Sequence, residues 1–250
     1  MGLVNSLNGI AITGMSCRFP KAINPEEFWQ LLANGSNAFE KIPSDRIETN
    51  GYANLLAKGT FLSDPFGFDN EFFKVTEEEA MVMDPQQRIM LELAVEASEH
   101  AGYSDWKNKN TGVLIGANQR AYQEMITNSF YQKQLMEVVK SLNGITELPS
   151  IYKERLLSEL NSIGNVQPLN SMALVGNITN MIAGRISHEF NLQGPSITID
   201  TACSSSLVAV HQACVSLHRR ECDIAYAGGI NINLTHNIFQ FMEAAQVISK

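Results

Sequence analysis

Apolar residues follow two kinds of spacing along this chain, one typical of strands and one typical of helices, and together they predict an α/β fold. Short apolar runs at residues 9–14 and 112–116, each bounded by glycine, predict buried strands. Apolar residues spaced three and four positions apart predict helices between and after these runs. Strands that alternate with helices of this length are typical of layered α/β proteins with a mostly parallel central sheet.

Two helices carry clear start signals. In the first, Asn24 can cap the helix, Pro25 suits its first position, and Glu27 completes a capping box. Residues 84–87 repeat this arrangement for a second helix, which Gly102 ends. The apolar stripes predicted to be buried are Phe28, Leu31 and Leu32 in the first helix, and Met90, Leu93, Ala94, Ala97 and Ala101 in the second.

The middle of the chain has a different character. Residues 119–170 are predicted to be a partly helical insertion, with amphipathic helices at 129–143 and 150–163. After it, residues 175–190 are rich in small side chains and predict one closely packed helix. The pattern does not indicate a purpose for the insertion.

The candidate chemistry lies where a predicted strand meets a predicted helix. Residues 196–201 alternate as a half-buried strand, and Cys203 follows at the turn into the helix. Small neighbours on both sides of Cys203 permit a tight elbow that exposes the sulfur. The apolar face predicted to be buried on this helix comprises Leu207, Val210, Cys214 and Leu217.

A cysteine at the start of a helix has two interpretations, as a packing residue or as a nucleophile. Most such cysteines are small buried residues with a packing role. However, the unpaired N–H groups at a helix start favour the thiolate, which is the attacking form of the side chain. The same N–H groups can stabilise the oxyanion that forms when sulfur attacks a thioester. Cys203 could therefore accept an acyl group.

Composition removes several functional classes. The 250 residues are 44% hydrophobic and 18% charged, as in an ordinary globular protein, and the net charge of −8 disfavours nucleic acid or an anionic membrane as a partner. No segment has the pattern of a secretory signal or a membrane span. The four cysteines form no C-x-x-C pair, and we expect them to be reduced thiols in the cytoplasm. We expect no bound metal, because the cysteines lack the spacing of zinc ligands and the pair His211 and His218 lacks a third ligand.

The residues around Cys203 carry a family resemblance. The string Asp-Thr-Ala-Cys-Ser-Ser-Ser at residues 200–206 closely resembles the nucleophile motif of β-ketoacyl synthases, above all those of modular polyketide synthases. Other segments are similar to the family in the same order: residues 14–20, 28–29, 42–46, 59–62, 68–69, 72–73, 84–88, 183–187, 194–195 and 227–231. The resemblance thus covers nearly the whole chain.

The resemblance implies a fold, a reaction and partners. Residues 8–250 would be the N-terminal half of a thiolase-like fold, in which the first of two similar halves carries the nucleophile, here Cys203. Family members are usually homodimers, and the strand before the nucleophile lies near their interface. An acyl carrier protein presents the acyl chain on its phosphopantetheine arm, so no directly bound cofactor is expected. Acylated cysteine then reacts with a decarboxylated malonyl-type extender, in fatty acid or polyketide biosynthesis.

The sequence departs from the family in its histidines. Condensation in the family needs two histidines and usually a lysine from the second half. Neither histidine context occurs here, and the residues end at Lys250 where the family continues. We expect an incomplete ketosynthase: a truncated chain, a gene fragment or one piece of a split synthase. A non-elongating, transacylating ketosynthase and a non-catalytic half that docks with a separate C-terminal chain are the alternatives. We also expect marginal stability without a dimer or the missing half.

Overall fold

The chain forms both α-helices and β-strands, as the hydrophobic pattern predicts. The computed structural model describes residues 9–43, 58–103, 109–118, 121–141, 149–152, 154–155, 170–235 and 237–247. The strands are β1 (Glu40–Lys41), β2 (Lys58–Gly59), β3 (Thr111–Gly116), β4 (Ser196–Ile199) and β5 (Ile224–Gly229). The helices are α1 (Pro25–Ala33), α2 (Glu77–Val82), α3 (Pro85–His100), α4 (Ala121–Ser141), α5 (Ser171–Asn177), α6 (Met181–Glu189), α7 (Ser205–His218) and α8 (Asn237–Ala244).

The strand that leads to Cys203, β4, belongs to a parallel sheet. Its order in the described residues is β4-β3-β5, and both pairings are parallel, which confirms the expected parallel sheet. β3 is buried along its whole length, as a central strand covered on both faces should be. At the carboxyl end of the sheet, Gly116 lies in register with Ile199 on one side and Gly229 on the other.

Helices α7 and α6 cover opposite faces of this sheet. Ala209 and Ala213 of α7 form a buried cluster with Leu114 of β3. Thr198 of β4 bonds instead to α6, where the Ala183 N–H donates to its Oγ1 at 3.3 Å. Thr198 pairs with Ile115, and successive side chains on a strand point to opposite faces. The sheet therefore lies between the two helices.

Both helices that carry start signals begin where they are predicted. Asn24 Oδ1 accepts from the Glu27 N–H at 2.8 Å, and the Glu27 carboxylate accepts from the Ile23 N–H at 3.0 Å. Helix α3 begins at Pro85, and Gly102 adopts φ +74° after its end. The predicted buried stripe of α1 is wrong, because no residue of α1 is fully buried and Leu32 is 53% exposed.

The predicted first strand is absent. Residues 9–14 are described but form no strand, and Ile12 is 82% exposed. Gly14, the last residue of this segment, and the loop after it instead lie along α3. An added Cβ at Gly14 would lie 2.1 Å from the Ala97 carbonyl oxygen, and Ser16 Oγ donates to the Leu93 carbonyl at 2.7 Å. Contacts with a helix thus replace the pairing that the apolar run predicts.

The described chain divides into two compact units. One comprises Met1–Asp69, Pro85–Gln119 and Thr179–Lys250, and the other comprises Asn70–Asp84 and Arg120–Ile178. In the second unit, α2 packs against α5, and the Asp84 N–H donates to the Gly176 carbonyl at 2.9 Å. The domain bounds 8–250 and the insertion at 119–170 stay predictions.

The helices predicted in the insertion are only partly described. Helix α4 begins at Ala121, well before the predicted start at residue 129, because its first turns are anchored by buried Ala121 and Ile126. It runs to Ser141, and residues 142–143 of the prediction lie outside the described residues. For the second predicted helix, 150–163, residues 150–152 and 154–155 are helical, and residues 153 and 156–163 also lie outside the described residues.

The predicted single helix over 175–190 is wrong, because the chain breaks between α5 and α6. Ile178 is extended at the end of α5, with φ −76° and ψ 122°. Asn177 is buried and donates from Nδ2 to the Val82 carbonyl at 2.8 Å, which fixes the last residue of α5 within the second unit. Thr198 Oγ1 donates to the Asn180 carbonyl at 3.1 Å, just before α6 begins. Two side-chain hydrogen bonds therefore define the break.

None of the helices in the described ranges is long and apolar enough to cross a membrane.

Candidate active site

Cys203 lies at the elbow between β4 and α7. The strand ends at Ile199, a 3-10 turn spans Ala202–Ser204, and α7 begins at Ser205. The predicted strand over 196–201 is thus two residues too long. Cys203 is exposed and is a free thiol, so the predicted elbow that presents a sulfur to solvent is confirmed. The role of Cys203 as a nucleophile stays a prediction.

The elbow depends on one residue in an unusual conformation. Ala202 adopts φ +56°, a left-handed value that L-amino acids other than glycine, asparagine and aspartate rarely take. Asp200 Oδ1 accepts from the Ala202 N–H at 3.0 Å. Ser205 Oγ donates to the Ala202 carbonyl at 2.7 Å, so both peptide groups of the strained residue are held by side chains. Cys203 follows this reversal directly and is exposed.

Two glycines give the start of α7 its close approach to the sheet. A Cβ at Gly116, the last residue of β3, would lie 2.5 Å from the backbone nitrogen of Ser206. A Cβ at Gly229, the last residue of β5, would lie 2.5 Å from the Ser206 Cβ. Real Cβ atoms do not approach other atoms so closely, so both positions require glycine for this packing. The elbow therefore lies directly over the carboxyl ends of β3 and β5.

The buried face of α7 is not the predicted one. The residues buried along it are small and recur at helical spacing: Ser205, Ala209, Ala213 and Ser216. Leu207 is 74% exposed and Val210 is 44% exposed, and Cys214 and Leu217 are only partly buried. Small side chains allow the helix axis to approach the sheet, so the larger apolar residues point outward. The prediction assigned the face by hydrophobicity and missed this requirement for small size.

The other cysteines differ from Cys203 in burial. Cys222 is buried near Gly112, and burial raises the pKa of its thiol, which agrees with a packing role. Cys17 is half-buried, and burial followed by the nearby Glu96 carboxylate raises the pKa of its thiol. Cys214, which was expected in the core of its helix, is only half-buried. Cys203 alone among these four thiols is exposed.

The histidines in the described residues lie on helices. His211 and His218 are on α7, and His211 is eight residues beyond Cys203, about 12 Å along the helix axis. His218 Nδ1 is 2.7 Å from the Cys214 carbonyl, and His100 Nδ1 accepts from the Met15 N–H at 3.1 Å. His236 lies outside the described residues. Among the residues that the structure describes, no group of three or more His, Cys, Asp or Glu side chains could hold a metal ion.

Sequence patterns did not single out three residues that shape the elbow. In the sequence, Ser205 stands out only as part of the motif around Cys203. Gly116 stands out as the end of a predicted strand, and Gly229 as part of a family motif. The signal that could have found them was a glycine at the carboxyl end of each of two strands, because an element that crosses above strand ends needs space there. The pattern alone did not show which helix fills that space.

The fold and the site together define a class of proteins. A parallel sheet that lies between helices and carries an exposed cysteine at a strand-to-helix elbow matches the thiolase-like fold of ketosynthases. The ketosynthase from module 6 of the bacillaene synthase from Bacillus subtilis 168 superimposes with a TM-score of 0.71 at 32% sequence identity. That match covers 96% of this chain and 34% of the solved chain.

The chain belongs to the β-ketoacyl synthase family. The profile of the family's N-terminal domain, "Beta-ketoacyl synthase, N-terminal domain", matches residues 7–250. A non-reducing polyketide synthase, mapC of Penicillium roqueforti, is 37% identical over 98% of this chain. A phenolphthiocerol/phthiocerol polyketide synthase of Mycobacterium tuberculosis is 37% identical over 90% of it. The chain spans only 9% and 13% of the lengths of these two relatives.

Proposed function

We propose that Cys203 accepts an acyl group from a thioester, as the first step of ketosynthase chemistry in polyketide biosynthesis. One observation carries the proposal: Cys203 is exposed at the turn between β4 and α7, within the segment 200–206 that resembles the family's nucleophile motif. The neighbouring Thr201, Ala202 and Ser204 are exposed as well, so a substrate can approach the sulfur.

The proposed step is a thioester exchange that is balanced in atoms and electrons. The Cys203 thiolate attacks the carbonyl carbon of the donor thioester and forms a tetrahedral oxyanion. We propose that backbone N–H groups of the elbow stabilise that oxyanion, other than those of Ser204 and Ser205, which donate to the Thr201 and Ala202 carbonyls. The intermediate collapses as the bond from the carbonyl carbon to the donor sulfur breaks. The donor leaves as a thiolate and takes up the proton that Cys203 released, and the acyl group stays on Cys203.

We propose an acyl carrier protein as the donor, through its phosphopantetheine arm. The relatives that carry this domain are named as polyketide synthases, which build chains from thioester-bound units. A thioester is already activated towards a thiolate, so loading requires no further cofactor on this chain. A long, flexible arm also suits a nucleophile that lies on the surface of its domain.

We propose that the later condensation depends on residues outside this sequence. Decarboxylation of a malonyl-type extender in the family uses histidines that the resemblance assigns to the second half. In the described part of the chain, the histidine nearest to Cys203 in sequence is His211, about 12 Å further along α7. We therefore expect acyl loading by this chain and no release of carbon dioxide from a malonyl carrier protein.

We propose that the chain forms a homodimer through β4. This strand is at the edge of the sheet in the described residues, and its Ile197 side chain is 46% exposed. An exposed edge strand presents backbone groups that can pair with a second chain.

The described cysteines are all free thiols, which suits the reducing cytoplasm that we propose as the location.

Acyl loading can be tested by intact mass. The full 250-residue chain would be incubated with an acyl-pantetheine thioester, beside a Cys203→Ser variant and a Cys222→Ser variant. We expect one added acyl group on the wild type and on Cys222→Ser, and none on Cys203→Ser. Equal loading of Cys203→Ser and wild type, or no loading of either, would refute the proposal.

A further inference from the structure

Ser205 occupies a special position in the elbow. It is the first residue of α7, and it is only 6% exposed although both preceding residues are exposed. Its Oγ accepts from the Thr201 N–H at 2.8 Å and donates to the Ala202 carbonyl at 2.7 Å. One hydroxyl therefore connects the start of the helix to the two residues that precede Cys203.

This clamp acts on the residue that most needs support. Ala202 has φ +56°, and an alanine in that left-handed region is strained. A strained conformation persists only where surrounding interactions fix it. The Ser205 N–H also donates to the Ala202 carbonyl, so this carbonyl is held at two points by one residue.

The adjacent hydroxyl provides a natural contrast. Ser204 Oγ also forms hydrogen bonds, to the Thr201 carbonyl at 2.8 Å and to Thr201 Oγ1 at 2.9 Å. However, Ser204 is exposed, so water can replace its bonds if the hydroxyl is removed. Loss of the buried Ser205 hydroxyl removes both the acceptor of the Thr201 N–H and one of the two donors to the Ala202 carbonyl.

We propose that Ser205 is a positioning residue, which fixes the Cys203 sulfur relative to the N–H groups that stabilise the oxyanion. The proposal rests on the proposed acylation of Cys203. Because the geometry of a reacting pair controls its rate steeply, a displaced sulfur reacts more slowly even in a folded chain. Ser205 acts through Cys203 and does not itself touch the acyl group.

Two reactions of the same sulfur can test this role. Acylation by a thioester passes through an oxyanion, whereas alkylation by iodoacetamide is a direct displacement without one. Both rates would be measured at Cys203 by mass spectrometry for wild type, Ser205→Ala, Ser205→Thr and Ser204→Ala. Thermal unfolding would show that each variant is folded.

We expect Ser205→Ala to slow acylation by roughly tenfold or more, and alkylation by less than about threefold. Ser204→Ala should acylate at the wild-type rate, and Ser205→Thr, which keeps the hydroxyl, should recover most of the acylation. An unchanged acylation rate in a folded Ser205→Ala chain would overturn the role of Ser205, and so would an equal loss in both reactions. Absence of acylation in the wild type would overturn the proposed function and this role together, whereas fast wild-type acylation shows that any failure concerns Ser205 alone.

Discussion

Gly229 at the end of β5 lies against Ser206 in the first turn of α7, and a Cβ on the glycine would be 2.5 Å from the Ser206 Cβ. This contact limits where the backbone of α7 can lie, because Ser206 belongs to that helix, which begins two residues after Cys203. The helix start cannot keep its position if the strand end becomes larger. The space at Gly229 thus connects packing of the sheet to the position of the sulfur.

Replacement of Gly229 by alanine should therefore displace the elbow. We expect Gly229→Ala to lower the free energy of unfolding by about 1–3 kcal/mol, the usual cost of overpacking, and to slow acylation of Cys203. Urea unfolding and the acylation rate would measure the two effects. Gly228→Ala is the matched control, since its added Cβ would lie within 4 Å of no described residue beyond its two chain neighbours. Equal behaviour of both variants would contradict this account of the site.

The ion pair between Arg18 and Glu92 predicts a dependence of stability on pH. Their charged atoms are 3.1 Å apart, yet burial raises the pKa of Glu92 and outweighs the opposing effect of Arg18. A raised pKa in the folded state means that the folded chain binds this proton more tightly than the unfolded chain. The contribution of Glu92 is therefore fully present below the ordinary glutamate pKa of about 4.3, and it is lost as pH rises through the higher folded value.

A Glu92→Gln variant should lack this loss. Glutamine keeps an oxygen that can accept from Arg18, but it does not ionise. We expect the free energy of unfolding of the variant to rise relative to that of wild type as pH increases from about 4.3 through the raised folded pKa of Glu92. Chemical unfolding at several pH values would measure the difference, with Glu99→Gln as an exposed control on the same helix. A difference that stays constant with pH would show that burial of Glu92 has no such effect.

The exposed edge of β4 predicts the oligomeric state. A charge at Ile197 should prevent close approach of a second strand, since exposed edges are blocked by lysine in many natural sheets. We expect wild type to be a dimer in light scattering after size exclusion, and Ile197→Lys to be a monomer. Leu207→Lys adds the same charge at an exposed position of α7, outside β4, and should stay dimeric. A monomeric wild type would contradict the proposal that β4 mediates dimerisation.

The cap of α1 can be tested separately from the site. Asn24 Oδ1 satisfies the Glu27 N–H at 2.8 Å, so Asn24→Ala should cost about 1 kcal/mol of stability in urea unfolding. Asn24→Ser keeps a capping oxygen and should lose little. If alanine and serine are equivalent at this position, the cap does not stabilise the folded chain.

Local signals predicted the elements whose stability is local. Asn24 and Pro25 start α1, and Gly102 follows the end of α3, because caps and chain reversals depend on neighbouring residues. The elbow at Cys203 was also predictable, since a strand pattern, small residues and a helix pattern follow one another directly. The family motif identified the residue of interest within that elbow.

Contacts between distant segments account for the predictions that were wrong. The apolar run at 9–14 reads as a strand, but a strand requires a partner, and the segment after it lies along α3 instead. The break near Asn180 depends on Thr198, eighteen residues further along the chain. Likewise, Ala209 and Ala213 are buried because they fit closely against Leu114, whereas Leu207 is larger and faces outward. Size complementarity across the fold is not visible in a hydrophobic pattern.

The position of the acyl group on the chain decides whether Cys203 is the acceptor. After reaction with an acyl-pantetheine thioester, the chain would be digested and fragment-ion spectra would assign the label among Cys17, Cys203, Cys214 and Cys222. We expect the label on Cys203, with only background on the other three thiols. A label on Cys214 or Cys17 in preference to Cys203, or its absence from all four, would contradict it.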